Sequence, residues 1–193
     1  MRKTALTVMA AATAAARAML NAVTASAANS AVTLLGGDGS EAYHYAMIGH
    51  GGGASAATGG KNGTISVAAG SGGITLKGGG TSTVATTRPN SFAQIGHGGS
   101  TSSGAANGAI NVTTTNGGDI ILHGGGRQYT HAQIGHGGRS SVSGSQSGTI
   151  TVVSDGKVEL KGAVYSDTDV PSANSNETFA QIGHGGMFSS VTF

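Results

Sequence analysis

The chain has 193 residues, of which 36 are glycine, none is cysteine and only 9% are charged. The formal net charge is +2, but Arg2, Lys3 and Arg17 are three of the ten basic residues, so the rest of the chain offers no basic patch for nucleic acid. The missing cysteine excludes disulfides, thiolate catalysis and thiolate metal sites, and the regular spacing of Ile, Val and Leu excludes a disordered Gly/Ser linker.

The N-terminal residues 1–27 support two interpretations. Arg2 and Lys3 precede an apolar run over residues 4–16, and Ala25-Ser26-Ala27 offers small residues for cleavage, which is the layout of a secretory signal peptide. The run is interrupted by Arg17 and is rich in alanine, which equally favours a helix that caps the first repeat. Since no apolar run reaches the roughly 20 residues of a membrane span, we expect none.

A heptad with the pattern Ala-(Gln/Met)-Ile-Gly-His-Gly-Gly recurs along the rest of the chain. Its copies occupy residues 46–52, 93–99, 132–138 and 180–186. Two further runs recur between the copies: a Gly-x-Ile-x-Val type at 63–67, 108–112 and 148–152, and an Ile-x-Leu type at 74–79, 120–125 and 158–163. Residues 22–25 and 32–37 form an earlier half-copy. Repeats of this length indicate a solenoid that spans residues 22–193.

Apolar and polar residues alternate within these runs, which predicts short, half-buried β-strands. Three runs per repeat predict an all-β fold, a parallel β-solenoid with three short strands per coil and about four coils. Corresponding strands would stack about 4.8 Å apart, with glycine at the corners.

Stacking would place equivalent residues of the heptads in structural ladders. The expected apolar ladder faces the core and consists of Ile48, Ile95, Ile134 and Ile182. The expected amide ladder faces outward and consists of Gln94, Gln133 and Gln181, with Met47 in the first copy.

The repeated heptad, with its Gly-x-Ile-x-Val and Ile-x-Leu-x-Gly-Gly companions, resembles the repeats of filamentous-haemagglutinin-like adhesins and autotransporter passengers. The resemblance covers residues 22–186. It implies a right-handed parallel β-helix, secretion to the surface of a bacterium, and a role in attachment to a host or partner cell. The chain lacks an Asn-Pro-Asn-Gly type of secretion motif, which the resemblance would lead one to look for.

The heptad histidines are the candidates for a metal site. They would stack in one ladder, formed by His50, His97, His136 and His184. Rings about 4.8 Å apart cannot share a zinc ion at Zn–N distances near 2.1 Å without bending toward each other. No carboxylate recurs beside them, so we expect a structural role, with each neutral ring bonded to the backbone or to the next histidine.

The acidic residues do not repeat at equivalent positions, and a carbohydrate-cleaving β-helix needs carboxylates gathered on one face. We therefore predict no catalytic residues, no cofactor and no enzymatic activity. A polysaccharide lyase or glycoside hydrolase remains the alternative from that class. The first hypothesis is a structural or adhesive surface segment whose variable loops bind a cell surface or a glycan. A third hypothesis is a filament subunit that self-associates end to end through its exposed strand edges.

Overall fold

The computed structural model describes residues 6–7, 22–27, 29–37, 43–55, 60–79, 90–126, 129–141, 144–163 and 178–187. Across these ranges the chain is all-β and forms no helix. The predicted signal peptide or helical cap falls mostly on residues outside them. The part of residues 1–27 that is described consists of strands.

The strands are short and are numbered here in chain order. They are Leu6–Thr7 (β1), Ala22–Ala27 (β2), Val32–Leu35 (β3), Ala46–Ile48 (β4), Ala54–Ser55 (β5), Lys61–Asn62 (β6), Thr64–Ala69 (β7), Ile74–Lys77 (β8), Ala93–Ile95 (β9), Thr101–Ser102 (β10), Ala106–Asn107 (β11), Ile110–Thr114 (β12), Ile120–Gly124 (β13), His131–Ile134 (β14), Ser140–Ser141 (β15), Gln146–Ser147 (β16), Ile150–Val153 (β17), Val158–Ala163 (β18) and Phe179–Ile182 (β19).

The strands form five sheets, and every strand pair is parallel. The Ile-x-Leu sheet has the order β1-β3-β8-β13-β18, the Gly-x-Ile sheet β2-β7-β12-β17, and the heptad sheet β4-β9-β14-β19. Two narrow sheets, β5-β10-β15 and β6-β11-β16, complete the set. Each strand pairs with its counterpart in the next repeat, so the prediction of an all-β chain with stacked parallel strands is confirmed.

The core consists of the inward-facing residues of the three wider sheets. In the Gly-x-Ile sheet the register aligns Ile65 with Ile110 and Ile150, and the first two are completely buried. In the Ile-x-Leu sheet it aligns Leu76 with Leu122 and Leu160. The alternation of apolar and polar residues places one apolar side chain of each strand on top of the same side chain of the next strand.

The half-copy before the first heptad belongs to the same stacks. β2 pairs with β7 over six residues, from Ala22 opposite Thr64 to Ala27 opposite Ala69, and β3 pairs with β8. Because this pairing includes Ala25-Ser26-Ala27, cleavage there would remove a whole strand from the Gly-x-Ile sheet.

The two narrow sheets are the part of the architecture that the sequence did not predict. Their strands have two residues each, such as Thr101–Ser102 and Ala106–Asn107. A strand of two residues is too short to show alternation, so these segments resemble turns in the sequence. The described residues therefore form five sheets, where three runs per repeat predicted three.

Candidate functional site

The heptad ends a strand and turns the chain at once. In the second repeat β9 ends at Ile95 and the turn Gly96-His97-Gly98-Gly99 follows. Gly96 and Gly135 have φ values of +155° and +156°, which residues other than glycine rarely adopt. A Cβ on either residue would also overlap the carbonyl oxygen of the equivalent glycine in the next repeat. Glycine is required here because successive turns lie directly on one another.

The four heptad histidines form one continuous stack. Ring centroids lie 4.8 Å apart for His50 and His97, 4.9 Å for His97 and His136, and 5.0 Å for His136 and His184. The angles between adjacent ring planes are 11°, 4° and 5°. His97 and His136, in the middle of the stack, have no exposed surface.

Hydrogen bonds link each histidine to the next repeat and define its tautomer. The backbone N–H of His50 donates to Nδ1 of His97 at 3.0 Å, and the N–H of His97 donates to Nδ1 of His136 at 3.0 Å. An Nδ1 that accepts a hydrogen bond carries no proton, so the proton of the neutral ring is on Nε2. Nε2 of His136 accordingly donates to the carbonyl of Gly108 at 2.9 Å.

This arrangement favours the neutral ring. Burial lowers the pKa of His136 to about 4, opposed in part by the Gly108 carbonyl and assisted by the neighbouring histidines His97 and His184. Burial also lowers the pKa of His97, with smaller contributions from His50 and Lys61 in the same direction. Nδ1 now accepts a hydrogen bond from a backbone N–H. Protonation would add a hydrogen to Nδ1, so two N–H groups would face each other; this costs a hydrogen bond and creates a repulsion.

The same hydrogen bonds leave the central rings without a lone pair for a metal ion. In His97 and His136, Nδ1 accepts from the backbone and Nε2 donates to it. Within the part of the chain that the structure describes, no three His, Cys, Asp or Glu side chains converge as metal ligands would. The turn is built as a neutral hydrogen-bonded column that joins the repeats.

The prediction that the heptad glutamines face outward is wrong for Gln94 and Gln133, whereas Gln181 is half-buried. Gln94 and Gln133 are completely buried. Nε2 of Gln94 donates to the carbonyls of Gly135 and Gly137 at 2.9 and 2.8 Å, so the amide binds the turn of the next repeat. Strand alternation predicted an outward position, but the chain turns immediately after the strand and encloses the side chain.

Gln133 repeats this contact. Its Nε2 donates to the carbonyls of Gly183 and Gly185 at 3.0 and 2.6 Å. The glutamines therefore do not form the expected ladder of amides bonded to each other. The isoleucines do lie in one row, because the register aligns Ile48, Ile95, Ile134 and Ile182.

A second ring stack precedes the heptads and was not recognised in the sequence. Tyr45, Phe92, His131 and Phe179 are aligned, with centroid distances of 4.9, 4.9 and 4.7 Å. Different residue types at equivalent positions conceal the repeat, although all four are planar rings placed one residue before the heptad alanine.

His131 lies in this stack between two phenyl rings. Burial lowers its pKa to about 3, and the charge of Arg139 acts in the same direction. The backbone of Tyr129 acts in the opposite direction and raises the pKa of His131 in part. Neither ring nitrogen has a well-formed hydrogen bond. His131 is thus a neutral aromatic spacer.

The one carboxylate in the described strands of the Ile-x-Leu sheet, Glu159, forms ion pairs. Glu159 lies 2.8 Å from Nζ of Lys161, 2.7 Å from Nε2 of His123 and 3.3 Å from Nζ of Lys157. Hydrogen bonds from Lys161 and then His123 lower the pKa of Glu159 to about 2. A carboxylate held ionised by three nitrogen donors cannot serve as a general acid near neutral pH.

Comparison of the chain with family models, with curated proteins and with solved structures returned no match. Among the described residues, no helix has the length and apolarity to cross a membrane. The fold class, an all-β chain of stacked parallel sheets, therefore rests on the strand pairing itself.

Proposed function

We propose that this chain is a structural and adhesive segment of a secreted bacterial surface protein. Its strands would wind as a right-handed parallel β-solenoid of about four coils, and the connections between strands would bind a host cell, a partner cell or a surface glycan. The stacked parallel sheets supply a stiff shaft, since each repeat is hydrogen-bonded to the next along five rows.

One observation carries this proposal: the connections that differ most in length from repeat to repeat all join the same two sheets. They join the Ile-x-Leu sheet to the heptad sheet and comprise residues 36–45, 78–92, 125–130 and 164–178. The turns between β7 and β8 and between β12 and β13 are short and similar. Segments that vary beside a regular scaffold are where binding residues concentrate.

The test is attachment of the purified protein to cells and glycans on a coated surface. A variant in which residues 80–89 are replaced by Arg127-Gln128, the equivalent stretch of the shorter connection, should keep its thermal unfolding midpoint and lose most of the cell retention. The buried residues that flank this stretch, among them Phe92, are left in place. The matched control is substitution of the exposed Thr64 and Thr149 by serine, which should leave retention unchanged. Retention that survives removal of all the long connections would overturn the adhesive role.

The enzymatic alternative has its own test. Incubation with acidic and neutral polysaccharides should leave their viscosity unchanged and release no unsaturated sugar. A fall in viscosity that follows protein concentration would replace the structural proposal with a carbohydrate-active enzyme.

A further inference from the structure

Asn-Gly pairs occur three times in the chain, and the structure holds them in two different ways. They are Asn62-Gly63, Asn107-Gly108 and Asn116-Gly117. In such a pair the backbone nitrogen of the glycine can attack the side-chain carbonyl carbon of the asparagine, because glycine has no side chain to hinder the approach. The rate of attack depends on how firmly the folded chain holds the two groups apart.

The pairs at Asn62 and Asn107 lie in the narrow sheet β6-β11-β16, where the stacking of the repeats locks them. Nδ2 of Asn107 donates to Oδ1 of Asn62 at 3.1 Å, and Oγ of Ser147 donates to Oδ1 of Asn107 at 2.8 Å. The backbone nitrogens of Gly63 and Gly108 donate to carbonyls of the next repeat, both at 3.1 Å. Attack at either asparagine would therefore require its strand to leave the sheet.

The third pair lies in the exposed turn that joins β12 to β13. Asn116 and Gly117 have φ values of +56° and +76°, as the central residues of a type I′ turn do. The N–H of Gly118 closes the turn on the carbonyl of Thr115 at 3.1 Å. The Asn116 side chain is in solvent, and a Cβ on Gly117 would meet no atom within 4 Å beyond its chain neighbours, so a ring has room to form.

A carboxylate lies on the nitrogen that would attack. The backbone N–H of Gly117 donates to Oδ2 of Asp155, in the next repeat, at 2.7 Å. In the other two pairs the equivalent N–H donates to a backbone carbonyl, which is a far weaker base than a carboxylate. A general base within hydrogen-bond reach of the proton that it accepts is the geometry of acid–base catalysis.

We propose that Asn116 is a site of self-catalysed modification, in which the Asp155 carboxylate acts as the general base. The Gly117 nitrogen attacks Cγ of Asn116 and forms the new C–N bond of a succinimide ring. The proton of this nitrogen passes to Asp155 and then to Nδ2, which leaves as ammonia when the Cγ–Nδ2 bond breaks. Water then opens the ring at either carbonyl and gives aspartate or isoaspartate, so that water is consumed and ammonia is released.

The modified turn differs from the original in charge and, for isoaspartate, in length. Position 116 gains a negative charge, and isoaspartate carries the main chain through the side-chain carbon. The N–H of Gly156, in the next turn, donates to the Gly118 carbonyl at 3.0 Å, so a longer turn would disturb the stacking of these two repeats. The modification does not rest on the adhesive proposal, since it involves none of the connections that differ most in length.

Peptide mapping by mass spectrometry, applied to the folded full chain during incubation at neutral pH, tests the proposal. Asn116 should convert at least about tenfold faster than Asn62 and Asn107, which are internal controls with the same following residue. In concentrated urea all three should convert at similar rates, because only the folded state distinguishes them. Equal rates in the folded protein, or conversion of Asn116 in urea alone, would overturn the proposal.

Asp155→Ser tests the role of the base. Serine can still accept the hydrogen bond from Gly117 but is a much weaker base, so conversion of Asn116 in the folded protein should slow about tenfold. Serine is chosen because Asp155→Asn would create a fourth Asn-Gly pair with Gly156.

The matched control is Asp119→Ser, which removes a carboxylate from the same corner. Asp119 accepts the backbone N–H of Lys157 at 2.9 Å, so its loss should leave the conversion of Asn116 unchanged. Thermal unfolding checks that both variants are folded, and the comparison of the three pairs in the wild type needs neither of them. If Asp155→Ser leaves the rate unchanged or raises it, the carboxylate only holds the turn and the proposal is wrong.

Discussion

Single residues of the heptad turn have roles that follow from which atoms they present to the next repeat. Gln94 and Gln133 each offer an N–H₂ group to two glycine carbonyls, and in neither is Oε1 hydrogen-bonded. Flipping the amide would place its oxygen against two carbonyl oxygens, so the orientation is determined by the partners. The turn needs a donor at this position.

Substitutions at Gln133 test that requirement. Gln133→Glu should lower the free energy of unfolding at pH 7 by about 2–3 kcal/mol, because a buried carboxylate would face two carbonyl oxygens. Gln133→Met, which copies the residue at position 47, should cost only about 1 kcal/mol, since it introduces no charge. Urea unfolding measures both, and equal losses for the two variants would contradict the donor role.

The first repeat offers the reverse experiment. Met47 is aligned with Gln94, and a glutamine there would reach the carbonyls of Gly96 and Gly98. Met47→Gln should therefore raise the free energy of unfolding by about 1 kcal/mol in the same assay. No gain, or a loss, would show that the first turn differs from the others.

At the scale of the element, the heptad strands stack closely because the backbones of successive turns are in contact. A Cβ on Gly135 would meet the carbonyl of Gly183, whereas a Cβ on Gly117, in the turn between β12 and β13, would have no other atom within 4 Å. Both have positive φ, +156° and +76°. Gly135 therefore combines close approach with a φ that alanine tolerates less well, whereas Gly117 has backbone strain alone.

Alanine substitution uses this contrast. Gly117→Ala should cost about 1–2 kcal/mol, the strain of a left-handed residue. Gly135→Ala should cost more, about 3 kcal/mol or above, because a backbone oxygen cannot move aside without separating the last two repeats. Hydrogen exchange of β19 should increase for Gly135→Ala alone. Equal exchange in both variants would contradict the contact.

At the scale of the whole molecule, the histidines couple stability to pH. The pKa values of His131 and His136 are lowered to about 3 and about 4, and that of His97 is lowered too, whereas histidine in an unfolded chain titrates near 6.5. Between these values the unfolded chain binds more protons than the native protein. The stabilisation that the neutral histidines provide is therefore fully present above about pH 6.5, and it is lost as the pH falls toward 4.

The expected loss is large for a small domain. Each unit of pKa difference corresponds to about 1.4 kcal/mol, so the buried histidines together should remove several kcal/mol between pH 7 and pH 4. Urea unfolding at several pH values measures the slope, and His136→Gln should make it shallower even though the variant is less stable at pH 7. A slope that is unchanged by the substitution would exclude the histidine column as its source.

The sequence predicted much of this arrangement, because repetition and alternation are visible in one dimension. The heptads located β4, β9, β14 and β19, and the Ile-x-Val and Ile-x-Leu runs located the other two wide sheets. The narrow sheets were missed because a strand of two residues is too short to show a period. The stack from Tyr45 to Phe179 was missed because its members differ in residue type and share only a flat shape.

What the sequence alone determined is the all-β class and the register, since equal motifs of Ile, Leu and Gly pack best on their own copies. The tertiary structure decided which side chains are enclosed. Gln94 alternates like an outward residue but is buried, because the chain turns over it, and His97 is neutral because a backbone N–H occupies its Nδ1. The burial of the first and last strands of a sheet is also decided by the tertiary structure. Leu34 and Leu160 occupy the same row, yet only Leu160 is exposed, because burial depends on what lies on the far side of a strand.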